Sequence, residues 1–416
     1  MSKQVVIIGG GIIGLCSAFF LLEAGCHVTV IDKSNIKSGT SHLNAGYICP
    51  SHFTPLASPG IIKQGLKWML NSSSPFYIKP RLDASLLRWL WAFKSSCKAE
   101  LVKKNEPHLR DLCQFSQGLF QELYQHTQLD FHYEKKGLLM LCQTNQALEH
   151  ELDVLKRAKF LGVNAKEITP IDLKKMEPNV AIDAIGGVYF PNDHHATPTL
   201  FMNELYHYLA SSGVQFLLNE DVVDFTTKSN KIISISTINR QLNADELIVA
   251  SGTWSAQLLK KLNLQLLLQS GKGYAFESKR ISEISVPTIL VEAKTAVTPM
   301  LGFTRFAGTM ELSGLNDKIN KIRVNSIAKA VHRFYPELTI NDDETSKANF
   351  GYRPLSPDGL PYIGRSKTFK NLTIATGHAM IGWTLGPGTG KLVSELILDQ
   401  KPSVDLAPYN PNRTFW

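Results

Sequence analysis

The chain has 416 residues, 44% hydrophobic and 19% charged, with 44 Lys+Arg against 36 Asp+Glu for a formal charge of +8. That length exceeds one small core and fits two interleaved domains of an ordinary globular protein. The mild basic excess suits an anionic ligand or an anionic lipid surface, while the lack of like-charge blocks and of aromatic–basic interleaving of the kind that suggests nucleic acid argues against that partner.

Residues 4–33 read in order as strand, tight turn, helix and strand. Val5–Ile8 is an unbroken apolar run of the kind found in a buried parallel strand. A helix is predicted over 12–23, ending at Gly25, and Val28–Ile31 is the next strand. The uncharged stretch 5–22 has the hydropathy of a signal peptide or membrane helix. Three consecutive glycines break such a helix, and no A-x-A-type cleavage site follows. With six cysteines and no C-x-x-C spacing, the chain reads as cytoplasmic with free thiols.

Residues 50–115 are rich in aromatics and punctuated by Pro and Ser, with helices expected. Residues 131–142 read as one or two strands, and 145–162 as an exposed helix with opposed charges four apart. Strand-like runs follow over 214–254 and 266–312. A last helix is expected over Thr389–Leu398, with Leu392, Val393, Leu396 and Ile397 on one face. The order predicts an α/β nucleotide-binding domain built from 1–50, 150–262 and 347–416. An α+β substrate domain carrying an antiparallel sheet is inserted as 51–149 and 263–346.

The turn after the first strand holds Gly9-x-Gly11-x-x-Gly14, and Ile12 and Ile13 open the helix. The first glycine permits the turn, the second lets backbone N–H groups reach a pyrophosphate, and the third allows close helix–strand packing. Asp32, followed by Lys33, ends the second strand where a carboxylate takes ribose hydroxyls. A dinucleotide is therefore expected. Two further glycine-rich stretches, 39–50 and 376–390, favour FAD over a nicotinamide, although each alone also reads as a plain loop. A helix N-terminus after the second stretch would stabilise a reduced, anionic flavin. Twelve histidines and six cysteines show no metal-ligand spacing.

Nearly end to end, the chain resembles the FAD-dependent D-amino acid dehydrogenases, close to the glycine oxidase and D-amino acid oxidase group. The motifs are the fingerprint, "NAGYICPSH", "GLKWML", "FPND", "IVASGTWS", "GKGYAF", "GYRPLSPDGLPYIGR" and "TGHAMIGWTLGPGTGKLVSELI". The resemblance implies a Rossmann-like FAD domain of the glutathione-reductase type. It implies Thr40, Ser41, Asn44, Ala45 and Gly46 along the pyrophosphate and flavin, and Val223 on the adenine through its backbone. Ser251, Gly252, Trp254, Gly351, Gly377, Gly382, Trp383 and Thr384 complete the implied FAD set. "TGHAM" has no cysteine where sarcosine-type oxidases carry their covalent anchor, so the FAD is expected to be non-covalent.

Arg353 lies in the "G-x-R-P" element whose arginine, in the resembling oxidases, holds the substrate carboxylate. A planar fork that fixes a carboxylate in two places also fixes the Cα–H aimed at flavin N5. A turn arginine is the alternative. Tyr274, by resemblance, gives a second hydrogen bond to that carboxylate, or else it is a core aromatic. Arg305, Tyr47, His195 and His378 are weaker substrate-side candidates, His378 being read as a shape element rather than a base. Tyr47 and "NDHHATP" depart from the family pattern and leave substrate identity open.

The implied reaction is oxidative deamination of a D-amino acid, including cyclic D-proline-like ones, with electrons passed to a quinone-like acceptor. An oxygen-using glycine- or sarcosine-type oxidase, or a flavoprotein subunit of a larger complex, is the alternative. Residues 61–93 interleave Trp68, Phe76, Tyr77, Trp89, Trp91 and Phe93 with Lys63, Lys67, Lys79, Arg81 and Arg88. They suit a peripheral contact with the inner face of the cell membrane, or the core of the inserted domain.

Overall fold

The computed structural model describes residues 2–63, 65, 74–81, 83–126 and 129–415. The N-terminal signals fold as the spacing requires. Strand Gln4–Ile8 runs into helix Ile12–Glu23, Gly25 takes a left-handed turn (φ +79°), and strand His27–Asp32 returns parallel to the first. Both strands sit inside a six-stranded sheet ordered Tyr362–Arg365, Leu372–Thr376, Glu246–Val249, Gln4–Ile8, His27–Asp32, Gln215–Leu218. All its pairings are parallel except the edge pair Tyr362–Arg365 with Leu372–Thr376. A three-stranded antiparallel sheet spanning Val222–Lys228, Lys231–Thr237 and Gln241–Asn243 flanks it.

The terminal helix, Gly386–Ile397, begins three residues before the expected Thr389 and lies against the first helix. A Cβ on Gly390 would come within 2.5 Å of the Cys16 backbone, so only glycine permits this approach.

Among the described residues the second sheet has nine strands and is largely antiparallel. Its working strands are Gln269–Ser278, which pairs with Asn349–Leu355 on one side and Phe303–Leu312 on the other. Helix Lys321–Phe334 covers the far face through Val324, Ile327, Val331 and Phe334. Strands 166–168, 186–190 and 349–355, which fall within the segments expected for the nucleotide-binding domain, hydrogen-bond into this second sheet. These short segments carry no local mark of which sheet recruits them.

In the 61–93 region, Lys67 and Trp68 lie outside the described residues, as does most of "GLKWML". Helix Ala84–Ser96 buries Leu86 and Trp89, and Phe93 stacks on Trp89 with centroids 4.9 Å apart. Phe76 joins the second sheet beside Met310. Trp89 is buried with Phe76 and Phe93 half-buried against its cluster, whereas Leu87 (59% exposed) and Trp91 (64%) face outward. No described helix is long and apolar enough to cross a membrane. All six cysteines are free thiols.

Candidate active site

Between the two sheets runs a cavity of about 1380 Å³. Every expected cofactor residue lines it except Gly14, Gly46 and Gly377. Those three act behind the wall: a Cβ on Gly14 would lie 1.8 Å from the Gly9 carbonyl oxygen, and one on Gly46 would lie 2.2 Å from the Ala196 oxygen. Gly9 itself holds φ +114°, which L side chains rarely adopt. Gly11 differs, since a Cβ there meets only Ser41 Oγ at 3.4 Å and otherwise points into the cavity. This is the opening that a dinucleotide pyrophosphate needs at a helix N-terminus.

The cradle is braced by polar side chains. Asp32 accepts hydrogen bonds from the Gly10 amide (2.7 Å) and from Ser34. Ser41 Oγ accepts from the Ile12 amide at 3.0 Å. Thr40 Oγ1 accepts from the Tyr352 amide at 2.8 Å, joining the cofactor loop to the strand of Arg353. Lys33 sits 3.7 Å over the Trp254 ring. Thr384 donates to the Tyr47 carbonyl at 2.8 Å, tying the C-terminal loop to the "NAGY" segment. The lining carboxylates, Asp32, Glu220, Asp221 and Asp317, all belong to the Lys33 end or lie next to it in sequence.

Arg353 lines the same cavity. Its guanidinium lies over Gly273, whose absent side chain makes the space: a Cβ there would be 2.2 Å from Nη1. Nη1 donates to the Thr309 carbonyl at 2.6 Å. Among the described residues no carboxylate pairs with Arg353, and burial alone pushes its pKa down to about 10. Met310, Leu355, Trp89, Phe76 and Phe93 form an apolar wall around it, fixed by the Trp89 indole N–H donating to the Leu355 carbonyl at 2.8 Å. A half-buried cation with no counter-ion among the described residues, set in an apolar chamber, is a receptor for an anion small enough to enter.

The other substrate-side residues are placed differently. Tyr274 pairs with Phe350, one step out of phase with the Gly271–Arg353 and Gly273–Gly351 pairs. Its ring is therefore on the opposite face, packed in the cluster that includes Ile327 and Val331, with its hydroxyl toward Glu311 and Asn320. By this parity the Tyr274 side chain does not face Arg353, although the residue lines the cavity and its buried hydroxyl has no hydrogen-bond partner among the described residues.

Arg305 is a brace. It is 1% exposed, pairs with Glu277, and donates to the His42 and Asn44 carbonyls at 2.8 and 2.7 Å. The Tyr47 hydroxyl donates to the Thr288 and Val297 carbonyls, at 2.7 and 3.1 Å. His195 pairs with Tyr47 in a two-stranded ribbon, is buried, and does not line the cavity. His378 lines it, with Nε2 at 3.0 Å from Thr389 Oγ1, and burial pushes its pKa down to about 3. The imidazole is neutral in this setting and engaged with Thr389.

Folding also gathers residues that sequence spacing keeps apart. Cys49, His52 and Asp193 bring ligand-type atoms within 4.8 Å of one another, with the Ser51 amide and hydroxyl both donating to Asp193. Sequence reasoning passed over Thr309. Gly308 inside an apolar strand was the available signal, since an isolated strand glycine marks a bulge.

The sequence itself has counterparts along its whole length. The D-amino acid dehydrogenase of Vibrio vulnificus strain CMCP6 is 32% identical over 410 residues, covering 96% of each chain. That of Granulibacter bethesdensis is 30% identical over 413 residues, 97% of this chain and 98% of the other. In fold the chain is similar to glycine oxidase from Geobacillus kaustophilus, with TM-score 0.77 at 22% identity over 99% of both chains. The family profile described as DAO, FAD dependent oxidoreductase, matches residues 4–396. A match running from the fingerprint strand through the terminal helix leaves one assignment: the chain belongs to the DAO family of FAD-dependent oxidoreductases.

Proposed function

We propose that this flavoenzyme oxidises D-amino acids to the imino acid, held by carboxylate pairing to Arg353, and passes the electrons to a quinone-like acceptor. The observation that carries the reading is the half-buried guanidinium that lines the cofactor cavity with no carboxylate partner among the described residues. FAD, when bound, supplies the acceptor for the hydride that leaves the substrate Cα. Gly9, Gly11 and the first turn of helix Ile12–Glu23 would hold its pyrophosphate, and Asp32 its ribose.

The chain's own residues orient and enclose. Arg353 fixes the carboxylate plane, and the Gly273 gap lets the guanidinium lie flat on the sheet. Trp89, Phe76 and Phe93 exclude water from the side-chain end. The ammonium proton can leave to solvent, so no side-chain base is required. The relatives named D-amino acid dehydrogenase support the D stereochemistry and a dehydrogenase rather than an oxidase. Cyclic, D-proline-like substrates fall within the proposal. The outward pair Leu87 and Trp91, with Lys94 5.7 Å from the Trp91 ring centroid, supports a peripheral contact with an anionic membrane where a quinone resides.

The test is anaerobic mixing of the FAD-loaded enzyme with a panel of D- and L-amino acids, followed by reoxidation with a soluble quinone analogue or air-saturated buffer. Flavin bleaching by D-enantiomers only, and faster reoxidation by quinone, is expected. Comparable bleaching by L-enantiomers overturns the stereochemistry, and reoxidation by oxygen at the quinone rate makes the protein an oxidase.

A further inference from the structure

We propose that the Thr309 hydroxyl is a second ligand of the substrate carboxylate, donating beside the Arg353 guanidinium. The inference rests on the amino acid reading above and places a second donor on the Arg353 side of the sheet, which the Tyr274 side chain does not face. Three observations converge on this residue.

The first is its backbone. Thr309 has φ +59°, a conformation that a β-branched residue avoids. The strand register explains how it is held: Lys272 pairs with Glu311 and Tyr274 with Gly308, so three steps on one strand oppose two on the other. The extra residue makes a bulge, and bulges re-aim side chains. Strained backbone of this kind persists where its surroundings over-determine it, and it gathers at functional sites.

The second is its carbonyl, which accepts the Arg353 Nη1 hydrogen bond at 2.6 Å. The bulge therefore sets the orientation of the guanidinium as well as its own side chain. The third is the hydroxyl, which has no hydrogen-bond partner among the described residues and sits just under the surface of the cavity that the residue lines, so that a ligand meets it as the side chain turns about χ1. A buried hydroxyl left unpaired is costly unless something arrives to meet it. Gly308 on one side of it faces Ile327 behind the sheet, while Met310 on the other faces Gly271 on the Arg353 side.

A carboxylate has lone pairs enough for both groups. One oxygen takes the N–H groups that Arg353 does not spend on Thr309, and the other takes the Thr309 O–H. Two donors of different direction stop the carboxylate rotating about its bond to Cα, which a single arginine held at one nitrogen does less well. Ligands of this subsite are small carboxylates with an apolar group beyond Cα, since Met310, Leu355 and Trp89 lie around it.

The experiment compares Thr309→Val, Thr309→Ser and Thr309→Gly as FAD-loaded enzymes with wild type and Arg353→Lys. Two readouts are taken: the dissociation constant of 3-phenylpropionate, a carboxylate with no amine to oxidise, by flavin absorbance, and anaerobic flavin reduction by the best D-amino acid. Thr309→Val is expected to weaken 3-phenylpropionate about tenfold and to lower reductive kcat/KM by a similar factor. Thr309→Ser should restore both to within about threefold of wild type.

Thr309→Gly relieves the backbone and should melt no lower than wild type while showing the same loss as valine, which guards against reading a folding defect as a binding one. If valine and glycine variants both stay within about threefold of wild type while Arg353→Lys is impaired, Thr309 is no ligand and the amino acid reading stands. If no amino acid bleaches the wild-type flavin, that reading falls and takes this proposal with it.

Discussion

A guanidinium half-buried beside tryptophan and methionine is unfavourable unless an anion completes it, and among the described residues Arg353 has one carbonyl as its partner. That deficit is what substrate binding can recover. Arg353→Lys should keep the fold and the bound FAD, because lysine retains the charge and fits the Gly273 gap. It should nonetheless lower kcat/KM by about thirtyfold to a thousandfold, the equivalent of about 2–4 kcal/mol of lost orientation. Steady-state kinetics with the best D-amino acid check this, and a change under about threefold would remove Arg353 from the site. Arg305 shows how differently the same residue type serves: its hydrogen bonds end on Glu277 and on the carbonyls of the cofactor loop. Arg305→Met leaves the His42 and Asn44 carbonyls without their donor, for a loss of about 2 kcal/mol. The expected result is a lower Tm and faster loss of FAD on dialysis, with turnover per bound FAD within about threefold. Intact FAD retention with collapsed turnover would instead place Arg305 against the substrate.

At the scale of strands and helices, the sequence was legible where a signal is local. The fingerprint turn, the helix ending at Gly25 and the acid closing the second strand are each written in a few adjacent residues, and each folds as read. The helix Ala84–Ser96 carries its own cap, with Asp83 accepting from the Ser85 and Leu86 amides. What was not legible depends on pairing. Whether Tyr274 faces Arg353 is a matter of strand parity, and that parity is set by register with Asn349–Leu355, some 75 residues downstream (349 − 274). Thr309 was hidden for the same reason, since a bulge exists only relative to the partner strand. The sheet that recruits a short strand such as Lys166–Ile168 is likewise not legible, because nothing within three residues names a partner. Trp89 and Phe93 looked equally suited to a lipid surface or a core until the helix had a face turned to the cavity.

Across the whole molecule, several histidines are folded in their neutral form. Burial pushes His378 and His195 down to about 3, and His52 and His194 to about 4, with His42 and His132 also lowered. A base whose folded pKa lies below its free value, about 6.5, contributes stability that is present above that value and lost as pH falls toward the folded pKa. Asp193, raised to about 7 by burial, and Glu177, also raised, act in the opposite sense by holding protons in the folded state. The histidines outnumber them, so unfolding near pH 5 takes up protons on balance. Thermal melts should show Tm falling between pH 7 and pH 5, and a flat or rising profile would mean these imidazoles are not neutral in the fold. The contact between the terminal helix and the first helix has a consequence for biosynthesis. Gly386 and Gly390 nest against Ile12 and Cys16, so the cofactor cradle is closed by residues made some 370 positions after it was begun (386 − 12 = 374). A chain emerging from the ribosome displays the apolar fingerprint strand and helix long before their cover exists, and contacts of such separation form slowly. Apolar surface of the cradle therefore stays uncovered through the interval between synthesis of the two helices, and FAD meets a complete cradle only after that interval ends.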